Sequence, residues 1–161
     1  MQSIMIEKFQ KKDFDDYFKL VSDERVMAQI TERAIALEEA KVNFYKILER
    51  NEKYDFYGSF KIYDQITNQF IGLGHLTLNE IKEDEAEIGY MIRPEFWGKG
   101  YGSTVAKRLF NMAKQTEIKL LKAIIDPNNI ASRKILINLG FISMEICEID
   151  GLPGEILSKE L

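Results

Sequence analysis

The chain has little of what several function classes require. No apolar run approaches the roughly eighteen residues that span a bilayer, so no transmembrane segment is expected. The N-terminus does not read as a signal peptide, and the chain reads as cytoplasmic. One cysteine, Cys147, excludes an internal disulfide. It falls in the alternating run Met144 to Ile149, which predicts a strand residue rather than a catalytic thiol. One histidine, His75, and no Cys/His cluster give no metal site. His75 lies in a strand-like run, where a lone histidine is ordinarily structural. The net charge of −4 argues against nonspecific nucleic-acid binding, which needs a basic face. Three prolines and no low-complexity stretch leave no linker, so residues 1–161 read as a single domain. Its 45% hydrophobic and 30% charged residues are an ordinary globular balance.

The period of the apolar residues changes along the chain. Ile4 and Ile6 begin a first strand. Asp13 precedes a helical pattern through Phe14, Tyr17, Phe18 and Val21. Residues 23–34 read as a loop or short helix, and a second long helix starts near Leu37. Strands are expected over 56–63, 69–78, 85–92 and 120–125, and helices over 102–114 and 129–139, with Gly140 stopping the last. A final strand pair, 141–149 and 154–157, surrounds a turn at 150–153. The element order is βααβββαβαββ, an α/β domain. Its mixed sheet has strands 85–92 and 120–125 parallel, because one helix joins them.

Between strand 85–92 and its helix lies Arg93-Pro-Glu-Phe-Trp-Gly-Lys-Gly-Tyr-Gly-Ser103, with Gly98, Gly100 and Gly102 on alternate positions. A strand, a glycine loop and a helix start make an anion site. Glycine lets backbone approach a ligand, and free N–H groups with the helix dipole favour negative charge. The expected ligand is a phosphate or pyrophosphate. A Walker loop is excluded because no Gly-Lys-Ser/Thr occurs. A dinucleotide fingerprint is excluded because Ser103 and Val105 stand where its third glycine would fall. A tight turn without a ligand is the alternative. Lys99, Lys107 and Arg108 offer a local basic rim.

The run from Glu87 through Trp97-Gly-Lys-Gly-Tyr-Gly-Ser103, with Asn129-Ile-Ala-Ser132 and Gly140-Phe141 after it, resembles the GNAT family of acetyl-CoA-dependent N-acetyltransferases. The likeness is strongest to the branch acting on ribosomal proteins. It covers residues 4–145 in element order and 85–141 in motif detail. Trp97 stands where the general pattern opens with Gln or Arg, a substitution familiar in that branch. The resemblance implies a GNAT-like, mostly antiparallel sheet with one splayed parallel strand pair and the pantetheine arm in the opening. It implies that Gly98, Lys99, Gly100, Tyr101, Gly102 and Ser103 hold the coenzyme A pyrophosphate. Asn129 and Ser132 would bind the pantetheine amides, and backbone N–H near Met91 and Ile92 the thioester oxygen. As simpler alternatives, Ser103 and Asn129 each cap a helix.

Acetyl transfer to an amine needs a base, because most aliphatic amines are protonated at neutral pH. Glu87 matches the family position of a strand glutamate serving as base, and Glu85 is the reserve. Beside apolar Ile88 a half-buried Glu87 would have its pKa raised. The alternative is a solvated carboxylate in the acidic run 83–87. Many relatives carry a tyrosine seven residues after the Asn to protonate the leaving thiolate; here that position is Leu136. Tyr90 is near in sequence, but alternation turns it away from Glu87. The expected partners are acetyl-CoA and an amine acceptor, with no metal, for a monomer or homodimer transferring acetyl directly in a ternary complex. Asp23, Glu24, Glu32 and Glu38 would suit a cationic amine around residues 22–36. The competing reading is a GNAT-fold module that binds an acyl-CoA with weak or no catalysis, acting as a sensor or interaction protein.

Overall fold

The computed structural model describes residues 3–161. Seven strands form one sheet: β1 (Ile4–Lys8), β2 (Gly58–Asp64), β3 (Phe70–Leu78), β4 (Glu85–Ile92), β5 (Leu120–Ile125), β6 (Ile142–Ile149) and β7 (Leu152–Glu160). Their spatial order is β1-β2-β3-β4-β5-β7-β6. Every neighbouring pair is antiparallel except β4 and β5. The helices are α1 (Phe14–Val21), α2 (Glu24–Met27), α3 (Leu37–Lys53), α4 (Tyr101–Lys114) and α5 (Ile130–Asn138).

The mixed α/β fold agrees with the sequence reading, and the differences from it are local. Within the segment read as a loop or short helix, residues 24–27 form one turn of helix, α2, capped by the Asp23 carboxylate accepting from Arg25 N–H. The final strand is longer than expected, because only Asp150 and Gly151 turn, both at positive φ (52° and 81°). Two such residues suit a tight hairpin whose twist matches its strands. Pro153, which reads as a turn residue, instead pairs with Glu148 near the start of β7.

Strand alternation divides the core into two layers. Even residues of β4 (Ala86, Ile88, Ile92) meet Val105 and Leu109 of α4, Leu136 of α5 and Leu157 of β7. Met91 packs on the opposite face, with Leu73 of β3 and the aromatic cluster Phe9, Tyr17 and Phe44 under α1 and α3. Burying each large apolar side chain contributes about 1.5–3 kcal/mol, so both layers hold the sheet that carries the site. Between α5 and β7, Arg133 Nε reaches both oxygens of the fully buried Glu155 at 3.1 Å. This pair sets the position of α5 over the sheet.

Candidate active site

The parallel strands part early. Glu85, Ala86 and Glu87 pair with Leu120, Leu121 and Lys122, and the pairing stops there. Beyond Glu87, β4 has no neighbour on its β5 side. Asn79 N–H reaches Glu85 C=O and Arg93 N–H reaches Ile71 C=O, which turns the odd residues of β4 toward β3. The alternation of an antiparallel ladder leaves the backbone of Ile88, Tyr90 and Ile92 facing the gap. Of the two backbone donors expected near the end of β4, Ile92 N–H faces the opening and Met91 N–H is turned to β3. Ile92 C=O accepts from Trp97 Nε1 at 2.7 Å, which ties the glycine loop to the strand end.

The loop itself is set by glycine. Gly98 and Gly100 have φ of 72° and 84°, which cost a side-chain-bearing residue about 1–2 kcal/mol. Gly100 is the N-cap of α4, and no acidic residue lies in that helix's first turn. Thr104 N–H is the first to find an intrahelical acceptor, Gly100 C=O. The N–H groups of Tyr101, Gly102 and Ser103 are the helix's free donors. Ser103 is therefore the third residue of α4 and not its cap. Tyr101 meets Phe96 edge-on at 5.4 Å, beside the loop. Gly102 serves packing as well as ligand approach, because a Cβ there would stand 3.3 Å from Ile135 Cδ1 of α5.

A cavity of about 710 Å³ joins these parts. Gly98, Gly100, Gly102 and Ser103 form one end, with Tyr101 beside them. Asn129 and Ser132 of α5 form one wall, and Tyr90, Met91 and Ile92 the floor. The Asn129 side chain also caps α5, accepting from Ser132 N–H at 3.2 Å. Lys99 is in the loop but does not line the cavity. Arg108 donates to Ile4 C=O, away from the loop. The cations on the cavity wall are instead Arg25 of α2 and Lys134 of α5. Sequence reading missed Arg25, since a four-residue helix has no period to detect. Asp23 is paired with Arg25 and Glu38 with Lys41, so the expected acidic patch is partly neutralised.

Glu87 does not line this cavity. Together with Thr77, Asn79, Glu85 and Lys122 it borders a smaller cavity of about 350 Å³. Glu85, the reserve, is held by Lys122 at 3.2 Å. Burial raises the Glu87 pKa, and the positive charge of Arg50 on α3 partly opposes this. His75 is beside it, paired with Gly89 across β3 and β4. Any Cβ at Gly89 would fall 2.2 Å from His75 Nε2, so only glycine admits the imidazole there. Burial, with Arg50 adding to it, pushes the His75 pKa down to about 4, which leaves the ring neutral at pH 7. His75 Nδ1 is 3.0 Å from Thr77 Oγ1. The arrangement combines a high-pKa carboxylate, a neutral imidazole and a guanidinium at the point where β4 and β5 separate.

Among the described residues no group of three or more His, Cys, Asp or Glu could hold a metal ion, and no helix is long and apolar enough to cross a membrane. Cys147 is half-buried on β6, away from both cavities.

Comparison with known proteins agrees with this geometry. The acetyltransferase (GNAT) domain family matches residues 3–142. The uncharacterized N-acetyltransferase YnaD of Bacillus subtilis is 26% identical over 139 residues, 85% of this chain and 78% of its own. Spermidine N-acetyltransferase from Vibrio cholerae, solved with CoA and spermine, superposes with a TM-score of 0.82 at 17% identity, covering 98% of this chain and 95% of that one. RimL, the ribosomal L7/L12 α-N-protein acetyltransferase solved with coenzyme A, gives 0.81 at 15% identity, covering 100% and 96%. The free helix-start donors, the φ-positive glycines and the absence of acid in the first turn of α4 suit a pyrophosphate. With the family matched across both the glycine loop and the α5 wall, the chain belongs to the GNAT family and is an acetyl-CoA-dependent acetyltransferase.

Proposed function

We propose that this enzyme transfers acetyl from acetyl-CoA to a primary amine, directly and in a ternary complex, with Glu87 as general base. The observation that carries the reading is the position of Glu87 at the fork of β4 and β5. Coenzyme A would lie along the larger cavity, its pyrophosphate on the N–H groups of Tyr101, Gly102 and Ser103 and its amides along Ile92, Asn129 and Ser132. The thioester end would then reach the fork, and the amine would approach through the smaller cavity on the Glu87 face.

Burial raises the Glu87 pKa, which makes its carboxylate a stronger proton acceptor than an ordinary glutamate. The relatives that act on spermidine and on a protein N-terminus support a primary amine as the acceptor class. No thiol lines either cavity, which supports direct transfer over an acetyl-enzyme.

One observation favours a second reading. Leu136 stands where many relatives have an acidic tyrosine, and it is 1% exposed in the core. A module that binds acyl-CoA without turnover would tolerate that. A thiol-release assay with acetyl-CoA and a panel of polyamines, amino acids and peptides decides between the two. Amine-dependent thiol release, with intersecting initial-rate lines, is the expected result. Coenzyme A binding without release for any amine would support the module.

A further inference from the structure

The cavity that Glu87 borders is largely apolar, and its polar groups are mostly engaged already. Leu78, Ala86, Ile124 and Ile156 line it beside Thr77, Asn79, Glu85, Glu87 and Lys122. Ile124 and Ile156 are paired across β5 and β7, just past the residues where β4 and β5 part. Ile124 is 45% exposed and Ile156 half-buried, so both present apolar surface to a molecule in the cavity. Glu85 Oε2 is 3.2 Å from Lys122 Nζ, and Lys82 Nζ is 3.9 Å from Glu85 Oε1, so two cations answer that one carboxylate. Asn79 Oδ1 accepts from the N–H groups of Ile81 and Lys82 at 2.9 and 3.0 Å, which leaves its side chain only donors to offer. Thr77 Oγ1 is 3.0 Å from His75 Nδ1. Glu145, opposite Ile156 on β6, is exposed and does not line the cavity. Of the two lining carboxylates, Glu87 is the one that forms no ion pair among the described residues.

We propose that the acceptor is a monoamine with an apolar body, its nitrogen at Glu87 and its alkyl or aryl part packed on Ile124 and Ile156. This rests on the acetyl-transfer reading above and narrows its acceptor class. Two effects set the preference. Alkyl or aryl surface laid on the two isoleucines leaves water, which favours binding. A second ammonium in the same place would lose its water without gaining a counter-ion, because Glu85 is already paired. The positive charge of Arg50, which acts on Glu87, would repel it further. An apolar wall with one convergent charge is the lining that selects a singly charged amine over a polyamine.

Matched amines test this on the full chain with acetyl-CoA, read as thiol release. Hexylamine and 1,6-diaminohexane share a six-carbon chain and differ by one ammonium. Leucine amide and lysine amide make the same comparison beside a carboxamide. In each pair kcat/KM should be about tenfold or more higher for the monoamine. Ile124→Glu sets a carboxylate at an exposed position on the apolar wall. It should bring both ratios toward one, mainly by lowering KM for the diamines. Coenzyme A affinity should not change, since Ile124 does not line the larger cavity. Ile124→Ser removes apolar surface without adding charge and should lower kcat/KM for hexylamine. Wild-type turnover of the diamines equal to or faster than that of the monoamines would overturn the inference and leave the acetyl-transfer reading intact. So would thiol release with polyamines but with neither monoamine, or unchanged kcat/KM values in folded Ile124→Glu and Ile124→Ser proteins. A wild type that releases no thiol with any amine overturns the reading and this inference together.

Discussion

Glu87 and His75 occupy adjacent positions on one face, yet their environments act on them in opposite directions. Burial raises the Glu87 pKa and lowers that of His75. For Glu87 the folded pKa is above the unfolded value, so its contribution to stability is lost as pH rises through the folded pKa. Glu87→Gln should therefore melt higher than wild type near neutral pH and equal to it near pH 4, by calorimetry or circular dichroism. For His75 the folded pKa of about 4 is below the ordinary 6.5. Its unfavourable term is absent above the unfolded value and grows as pH falls from 6.5 toward 4. His75→Gln should flatten the acid side of the stability profile over that window. Arg50 favours the Glu87 carboxylate and disfavours the His75 cation. Arg50→Gln should raise both pKa values, moving the base-dependent limb of the rate profile to higher pH.

At the scale of elements, the glycine loop and α5 carry the cofactor wall, and each has a separable test. A methyl on Gly98 meets no protein atom within 4 Å, so Gly98→Ala costs the fold only the strain of its positive φ. Coenzyme A affinity should drop by tenfold or more, about 1.4 kcal/mol, measured by titration calorimetry. Unchanged affinity would remove the loop from the cofactor site. Gly102 is a poorer probe, because its substituents strike Ile135 first. The position of α5 depends on Arg133 and Glu155. Arg133→Met leaves a fully buried carboxylate without its cation. Stability should fall by roughly 2–3 kcal/mol, below the full cost of a deeply buried pair because Arg133 is half-exposed; urea denaturation reads this directly.

At the scale of the whole molecule, most of the architecture was legible in the sequence. β4 and β5 begin and end at the expected residues because an alternating run and an apolar run are each bounded by clear breakers. α4 starts at Tyr101, since Gly100 in a left-handed conformation can cap it where Ser103 was the expected candidate. Gly98, Gly100, Tyr101, Gly102 and Ser103, but not Lys99, share one cavity with Asn129 and Ser132, as the family resemblance implied. The rest depended on long-range geometry that no local pattern carries. Arg50 is 37 residues before Glu87 on a surface helix, and α2 is too short to show a period. The one measurement that tests the central claim most directly is the pH dependence of thiol release by wild type and Glu87→Gln at saturating acetyl-CoA. Wild-type turnover should rise with pH through one ionisation. The variant should lack that limb and run about 10²–10⁴-fold slower near neutrality, with coenzyme A affinity unchanged. A Glu87→Gln enzyme with wild-type turnover and the same pH profile would contradict the account.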